Sequence, residues 1–198
     1  MTDVLPPTPE GIARAAELLR AGQVVAFPTD TVYGVGVVAS RPDLLPALFE
    51  LKRRPLDKRI AMLVSGLDQV IGWEVDDRAR ALAERFWPGG LTLVLPGPDG
   101  ATQGFRAPDH PVALALIAAT GPIYTTSANI SDQPDTLGAD EVLIAFATDQ
   151  DGLPAVLDGG QVPGGVPSTV VDLTVNPARM LREGPVGADQ LARVVALG

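Results

Sequence analysis

Five of the fifteen basic side chains of this sequence lie in one stretch of eight residues, 52–59, which also holds both lysines. The net charge of the chain is −9, so this stretch is a cationic island in an acidic protein. Because Arg54 precedes a proline, the backbone is expected to be extended there, with Lys52 and Arg54 pointing to one side. A lysine and an arginine facing a common ligand suit neighbouring phosphates, so the stretch predicts a nucleotide triphosphate site. The alternatives are a solvated loop or cations gathered at a helix C-terminus.

A second polar group follows a predicted strand over residues 123–126. Ser127 and Asn129 stand at its carboxyl end, where ligands gather in open α/β sheets. A hydroxyl and an amide can orient a substrate but do not titrate, and no base is close in sequence. This pattern favours binding over nucleophilic attack, and the alternative is a Ser/Asn turn that caps the next segment.

Glycines and single arginines supply further candidates. Residues 158–169 form a glycine-rich segment before a strand, but no Gly-Lys-Ser/Thr follows, so it is not a P-loop. Arg106 and Arg182 each stand beside apolar, strand-like residues. Each fits either an anion contact or an ordinary surface ion pair.

The elements that must position these residues alternate along the chain. Thr8, Asp43 and Asp76 are predicted N-caps, and Gly22 is a predicted helix end. Helices are predicted over 9–21, 43–51, 76–86, 111–119, 139–147 and 188–195, and strands over 23–27, 32–38, 60–64, 91–95, 123–126, 156–158 and 169–173. This alternation predicts a single α/β domain over residues 1–198, with a mixed sheet because the spacing around Thr31 resembles a hairpin.

Composition excludes several classes of function. The 198 residues include no cysteine and one histidine, which excludes disulfides, thiolate nucleophiles and Cys/His zinc sites. That histidine, His110, stands at a helix start, where capping is more typical than catalysis. The acidic balance argues against a broad nucleic-acid surface. Without a signal segment or a long apolar run, the chain is expected to be soluble and cytoplasmic, with no membrane partner.

Four short motifs together carry a resemblance to a known family. They are Pro-Thr-Asp-Thr-Val-Tyr-Gly at 28–34, Lys-x-Arg-Pro at 52–55, Ser-Ala-Asn at 127–129 and Pro-Ser-Thr-Val-Val-Asp at 167–172. In order and spacing, over nearly the whole chain, they resemble the YrdC/TsaC family of threonylcarbamoyl-AMP synthases. The resemblance implies a twisted mixed sheet, flanked by helices, with a large central cavity. There ATP, L-threonine and bicarbonate would give threonylcarbamoyl-AMP and pyrophosphate, the first step toward threonylcarbamoyladenosine in tRNA.

The resemblance also implies roles for individual residues. The expected ATP contacts are Lys52, Arg54, Lys58, Thr102, Asn129 and Arg182. The expected threonine contacts are Thr31, Arg106, Ser127 and Ser168. The expected catalytic set is Lys52, Arg54, Ser127 and Asn129, acting by positioning and charge neutralisation without a covalent intermediate. Mg²⁺ would arrive with ATP, with no metal site of the protein's own.

The resemblance also implies partners for the protein, and this sequence departs from the family pattern in places. The product would pass to downstream tRNA threonylcarbamoyl-transferase proteins, with a possible weak contact to tRNA itself. Many relatives carry Ser-Pro-Thr where this chain has Asp135-Thr136-Leu137, and Thr136 is a candidate to replace the lost contact. The end at Gly198 resembles a short form without a further C-terminal domain. The alternatives are a non-catalytic RNA-binding module and a carbamoyl-transfer relative, which the absence of zinc-binding cysteines disfavours.

Overall fold

Helices and strands alternate through the chain, as the sequence predicts. The computed structural model describes residues 2–53, 55, 58–147, 152–164 and 166–198. The strands found in these residues are β1 (Asp3–Leu5), β2 (Val25–Phe27), β3 (Gly34–Val38), β4 (Ala61–Leu63), β5 (Leu91–Pro96), β6 (Thr102–Arg106), β7 (Ile123–Ser127), β8 (Ala155–Leu157), β9 (Thr169–Asp172) and β10 (Arg179–Arg182). The α-helices are α1 (Pro9–Arg20), α2 (Leu45–Leu51), α3 (Asp77–Phe86), α4 (Pro111–Thr120), α5 (Ala139–Ala145) and α6 (Ala188–Ala192).

The strands of the described residues join into one sheet in the order β1-β8-β2-β3-β7-β4-β6-β5-β9-β10. The pairs β1/β8, β2/β8, β4/β6 and β5/β9 are parallel. The pairs β2/β3, β3/β7, β4/β7, β5/β6 and β9/β10 are antiparallel. The predicted α/β class with a mixed sheet is therefore confirmed.

Two of the three predicted helix caps are found. The Thr8 hydroxyl accepts a hydrogen bond from the backbone N–H of Gly11, and the Asp76 carboxylate accepts one from Ala79. The prediction for Asp43 is wrong. Its carboxylate pairs with Arg41 at 2.6 Å, and a 3₁₀ turn over Pro42–Leu44 leads into α2.

Side chains alternate between the two faces of the sheet along each strand. One face is left open in part of the sheet, and the site lies on it. Helices α1 and α4 pack on one face of the half that contains β2 and β8, and α2 and α5 pack on the other. In the other half, α3 and α6 pack on Leu91, Leu93 and Leu95 of β5. Thr92 and Val94 point the opposite way, to a face that lines a cleft.

Candidate active site

The open face of β4, β6, β5 and β9 forms the floor of a cleft of about 630 Å³. This volume lies in the roughly 300–1,000 Å³ range of sites that bind small molecules. The predicted site residues that line it are Thr31, Lys58, Thr102, Arg106, Ser127, Ser168 and Arg182. Residues far apart in sequence thus meet at one surface.

Arg106, at the end of β6, is held at the cleft by three partners. Its Nη2 lies 2.5 Å from Asp30 Oδ1, its Nη1 donates to the Thr31 hydroxyl at 2.9 Å, and its Nε donates to the Gly89 carbonyl at 3.0 Å. The Arg106 side chain is 8% exposed. Burial lowers the pKa of the guanidinium, and the Asp30 carboxylate opposes that shift. Arg106 is thus a fixed, charged donor with Thr31 beside it.

Ser168 and Arg182 form a second polar group on the same floor. Arg182 donates from Nε to the Ser168 carbonyl at 2.9 Å and from Nη2 to the Ser168 hydroxyl at 3.2 Å. That hydroxyl also lies 2.8 Å from the Thr92 hydroxyl on β5. Beside burial, which lowers it most, the positive charge of Arg182 also lowers the pKa of Arg106. Two cations therefore face one cleft, as two anionic groups would require.

Thr92→Val tests whether the Thr92 hydroxyl orients Ser168 to contact a ligand. The substitution keeps the side-chain shape but removes the hydroxyl partner of Ser168, so we expect the free energy of unfolding to fall by about 1 kcal/mol. If Ser168 contacts L-threonine, as the family resemblance implies, the loss of its orientation should raise the KM for threonine by about threefold or more. Thr120→Val is the matched control, since the Thr120 hydroxyl donates to the Leu116 carbonyl within α4. An equal change of KM in both variants would contradict this role.

Lys52 lies beneath the cleft wall and not in an exposed loop. It caps α2 in helical conformation, and Arg53 follows with a left-handed φ of 50°. The predicted extended backbone is therefore wrong at residues 52 and 53, and the alternative of a helix C-terminus is correct for Lys52. Only 1% of Lys52 is exposed. A buried lysine at this point requires polar partners close to it.

Those partners lie at the carboxyl end of β7 and just after it. Lys52 Nζ donates to the Ser127 carbonyl and, at 3.2 Å, to Asn129 Oδ1. The Ser127 hydroxyl donates to the same Oδ1 at 2.6 Å, and Asn129 Nδ2 donates to the Gln133 carbonyl at 2.6 Å. Ser127 lines the cleft, whereas Lys52 and Asn129 stand behind it. Lys52 therefore holds Ser127 in place, and its contact with phosphate stays a prediction.

The other residues of the basic stretch are placed as follows, and for Arg59 the structure differs from the prediction. Arg54 lies outside the described residues. Lys58 lines the cleft, and its Nζ is 3.5 Å from Asp132 Oδ1. Arg59, which the sequence leaves as a solvated residue, also lines the cleft and donates from Nη1 to the Thr102 hydroxyl at 2.8 Å. Thr102 and Arg59 therefore belong to one wall.

Two other candidates lie off the cleft. The Thr136 hydroxyl is buried and donates to the Ala128 carbonyl at 3.0 Å, and the replacement contact suggested for Thr136 stays a prediction. His110 precedes α4, as expected, and does not line the cleft. Burial lowers the pKa of His110, with Asp30 and Asp109 opposing the shift.

Sequence reasoning missed three residues of the site. Asp30 lies inside the first motif but received no role, although it pairs with Arg106. Thr92 carries a signal, since it is the polar member of an apolar strand and must face away from the core. Asp135 lines the cleft, and its pattern in sequence gives no indication of that.

The part of the chain described here lacks two kinds of feature. No three or more acidic or histidine side chains gather where they could hold a metal ion. No helix in these ranges has the length and apolar character needed to cross a membrane.

Comparison with known proteins identifies the family. The Sua5_yciO_yrdC family model, described as "Telomere recombination", matches residues 17–184. This chain belongs to the Sua5/YciO/YrdC family. The family predicted from the four motifs is thereby confirmed. Among curated members, the threonylcarbamoyl-AMP synthase of Bacillus subtilis (strain 168) is 39% identical over 98% of this chain. A putative threonylcarbamoyl-AMP synthase of Mycobacterium tuberculosis (strain H37Rv) is 36% identical over 94% of it.

A solved Sua5 structure shows the same fold. Pyrococcus abyssi Sua5, crystallised with L-threonine, matches all of this chain with a TM-score of 0.90 and 34% identity. The chain covers 62% of that Sua5 structure and 59% of the Bacillus subtilis relative, but 90% of the mycobacterial one. Members of the family thus differ in how far they extend beyond the part shared with this chain.

Proposed function

We propose that this chain makes threonylcarbamoyl-AMP and pyrophosphate from L-threonine, bicarbonate and ATP. The observation that carries the proposal is the single cleft with two separately held arginines, Arg106 and Arg182. They match the residues that the family resemblance assigns to threonine and to the nucleotide. The curated relatives named threonylcarbamoyl-AMP synthase, and the Sua5 structure with L-threonine, support the same reading.

Arg106 supplies the threonine end of the site. Three of its five N–H donors are engaged by Asp30, Thr31 and Gly89, and the others are available to a carboxylate. Charge-assisted hydrogen bonds of this kind are stronger than neutral ones. The substrate carboxylate binds there, and the Thr31, Ser127 and Ser168 hydroxyls orient the rest of the amino acid.

The nucleotide end is formed by other cations that line the same cleft. Arg182 and Lys58 bind the phosphates, with Thr102 and Arg59 beside them on the wall. Arg54 contributes a further charge in this proposal. Lys52 and Asn129 act through Ser127, which they hold in place.

The reaction needs positioning more than covalent chemistry. The neutral threonine amine adds to the carbon of carbon dioxide and releases a proton to water, forming a carbamate. From bicarbonate, the same carbamate forms with loss of one water molecule. A carbamate oxygen then attacks the α-phosphorus, the bond to the β-phosphate oxygen breaks, and pyrophosphate leaves with the electron pair. The cleft cations balance the charge that develops on the phosphates. Mg²⁺ arriving with ATP would supply charge neutralisation at the phosphate oxygens.

The remaining partners follow from the product. We propose that threonylcarbamoyl-AMP passes to tRNA threonylcarbamoyl-transferase proteins in the cytoplasm, with weak direct contact to tRNA.

Threonine-dependent release of pyrophosphate tests the function. With ATP and bicarbonate present, we expect release with threonine and much less with serine, which lacks the methyl group. Release with another amine but not with threonine would keep the fold and overturn the substrate. No release with any amine, together with RNA binding that falls steeply with salt, would support the non-catalytic alternative. Carbamoyl transfer without adenylate formation would support the second alternative, that the chain is a carbamoyl-transfer relative.

A further inference from the structure

Two buried hydroxyl side chains, Thr29 and Thr31, line the cleft beside Arg106. Each residue is 4% exposed, and the two hydroxyl oxygens lie 3.2 Å apart. The family resemblance assigns Thr31 to the substrate but gives Thr29 no role. A hydroxyl has one proton to donate and two lone pairs that accept. The neighbours of each hydroxyl therefore decide what it can offer to a ligand.

The proton of Thr29 is committed to the backbone. Thr29 Oγ1 donates to the Val32 carbonyl at 2.7 Å. The same oxygen accepts the Thr31 N–H at 3.2 Å and the Val32 N–H at 3.4 Å. Bonds of this kind between a threonine side chain and the nearby backbone fix a turn, here the one that precedes β3. Because its single proton is used, Thr29 can only accept from the Thr31 hydroxyl.

The direction of the Thr31 proton follows by elimination. Within the described ranges, the Thr31 hydroxyl meets two polar side-chain atoms, which are Thr29 Oγ1 and, at 2.9 Å, Arg106 Nη1. A guanidinium nitrogen donates and does not accept, so Thr29 Oγ1 is the acceptor for the Thr31 proton. Arg106 takes one lone pair of the Thr31 oxygen. Thr31 thus has one lone pair, and no proton, for a ligand in the cleft.

We propose that Thr29 is a positioning residue that makes Thr31 a hydrogen-bond acceptor toward the bound amino acid. This inference rests on the proposed function. Thr31 receives a proton from the amino group or from the side-chain hydroxyl of the substrate, and it does not donate to the carboxylate, which Arg106 binds. Where the amino group is the donor, its electron pair stays free to attack carbon dioxide, because an acceptor engages only the amine protons.

Equilibrium binding of ¹⁴C-labelled L-threonine to the whole chain tests the inference without turnover. Thr29→Val keeps the side-chain shape but removes the acceptor of the Thr31 proton, which then turns toward the ligand. Because two donors then face each other, we expect threonine to bind about fivefold more weakly. Thr29→Ser keeps the hydroxyl, so its affinity should stay within about twofold of that of the unmodified protein.

A double variant separates positioning from a general loss of stability. Thr31→Val removes the accepting oxygen and should weaken threonine binding by about tenfold. In that background Thr29→Val should cause no further loss, because Thr29 acts through the Thr31 hydroxyl. Thr120→Val is again the control, since it removes a hydroxyl from α4, off the cleft, and it should leave threonine binding unchanged.

Two analogues of L-threonine identify the donor by displacing the label. L-2-Aminobutanoate lacks the side-chain hydroxyl, (R)-3-hydroxybutanoate lacks the amino group, and both retain the carboxylate. Thr31→Val should weaken only the analogue that keeps the donor received by Thr31. An amino donor leaves the affinity for (R)-3-hydroxybutanoate unchanged, and a hydroxyl donor leaves the affinity for L-2-aminobutanoate unchanged.

Three results would overturn the inference while the proposed function stands. Unchanged or tighter threonine binding by a folded Thr29→Val protein would make Thr31 a donor to the ligand. A further loss of affinity in the double variant would mean that Thr29 does not act through Thr31. Equal weakening of all three ligands by Thr31→Val would place Thr31 at the carboxylate, and this comparison decides alone where Thr29→Val does not fold. If the unmodified protein binds no threonine, the proposed function fails, and the inference with it.

Discussion

Arg106→Gln is expected to abolish measurable threonine binding and to lower the free energy of unfolding by about 3 kcal/mol. The glutamine cannot supply the fork of donors that a carboxylate needs, and it leaves Asp30 as a buried carboxylate without its cation. Chemical denaturation gives the stability, and calorimetric titration with L-threonine gives the binding.

The double variant Asp30→Asn/Arg106→Gln separates the two effects. Removing both charges should recover most of the lost stability, because no uncompensated buried charge remains. Threonine binding should stay lost, because Asp30 only holds Arg106 in place. If a folded Arg106→Gln protein binds threonine as the unmodified chain does, the threonine end has been placed wrongly.

Lys52→Met is expected to reduce turnover by at least about tenfold and the free energy of unfolding by about 2 kcal/mol. Methionine fills a similar volume but leaves the Ser127 carbonyl and Asn129 Oδ1 without the Nζ donor. Since Ser127 is then free to shift, the loss should appear in kcat at saturating ATP. Pyrophosphate release and denaturation measure the two changes.

The second lysine of the chain provides the matched control. Lys58 is 45% exposed in its side chain and faces Asp132 at the rim, so Lys58→Met should cost under about 1 kcal/mol of stability. It should raise the KM for ATP and leave kcat largely intact. If the two variants instead share one kinetic profile, with KM raised in both, Lys52 contacts the nucleotide directly and its positioning role is wrong.

Much of the fold was predictable because the local signals agree with the tertiary arrangement. Thr8 with Pro9, and Asp76, mark helix starts through caps that need no distant partner. The predicted strand β5 is a buried and mostly apolar run, whereas β7 and β9 mix apolar, hydroxyl and acidic residues and are buried only in part. Strands β1 and β10 escaped prediction because they are short, largely exposed edge strands with little apolar periodicity. Strand β6 escaped because polar residues on its cleft side interrupt the apolar pattern.

The sequence indicated which residues line the cleft better than it indicated how they are arranged. The motifs correctly brought Thr31, Ser127 and Ser168 to one cleft with Arg106 and Arg182. The burial of Lys52 was not predictable, because a run of cations does not reveal which of them is buried. Lys52 turns inward because α2 ends there and the carboxyl end of β7 offers it oxygen acceptors, a contact across 75 residues of sequence. Similarly, the pairing of Asp30 with Arg106 depends on a long-range neighbour that no local pattern specifies.

The most direct test of the whole account follows the carbon of bicarbonate. The protein is incubated with ¹⁴C-bicarbonate and ATP, with and without L-threonine, and the nucleotides are separated. If the cleft joins the three substrates, label enters an AMP-containing product only when ATP and threonine are both present, in equal amount to the pyrophosphate released. Pyrophosphate release without label in any nucleotide product, or labelling that does not require threonine, would contradict the account.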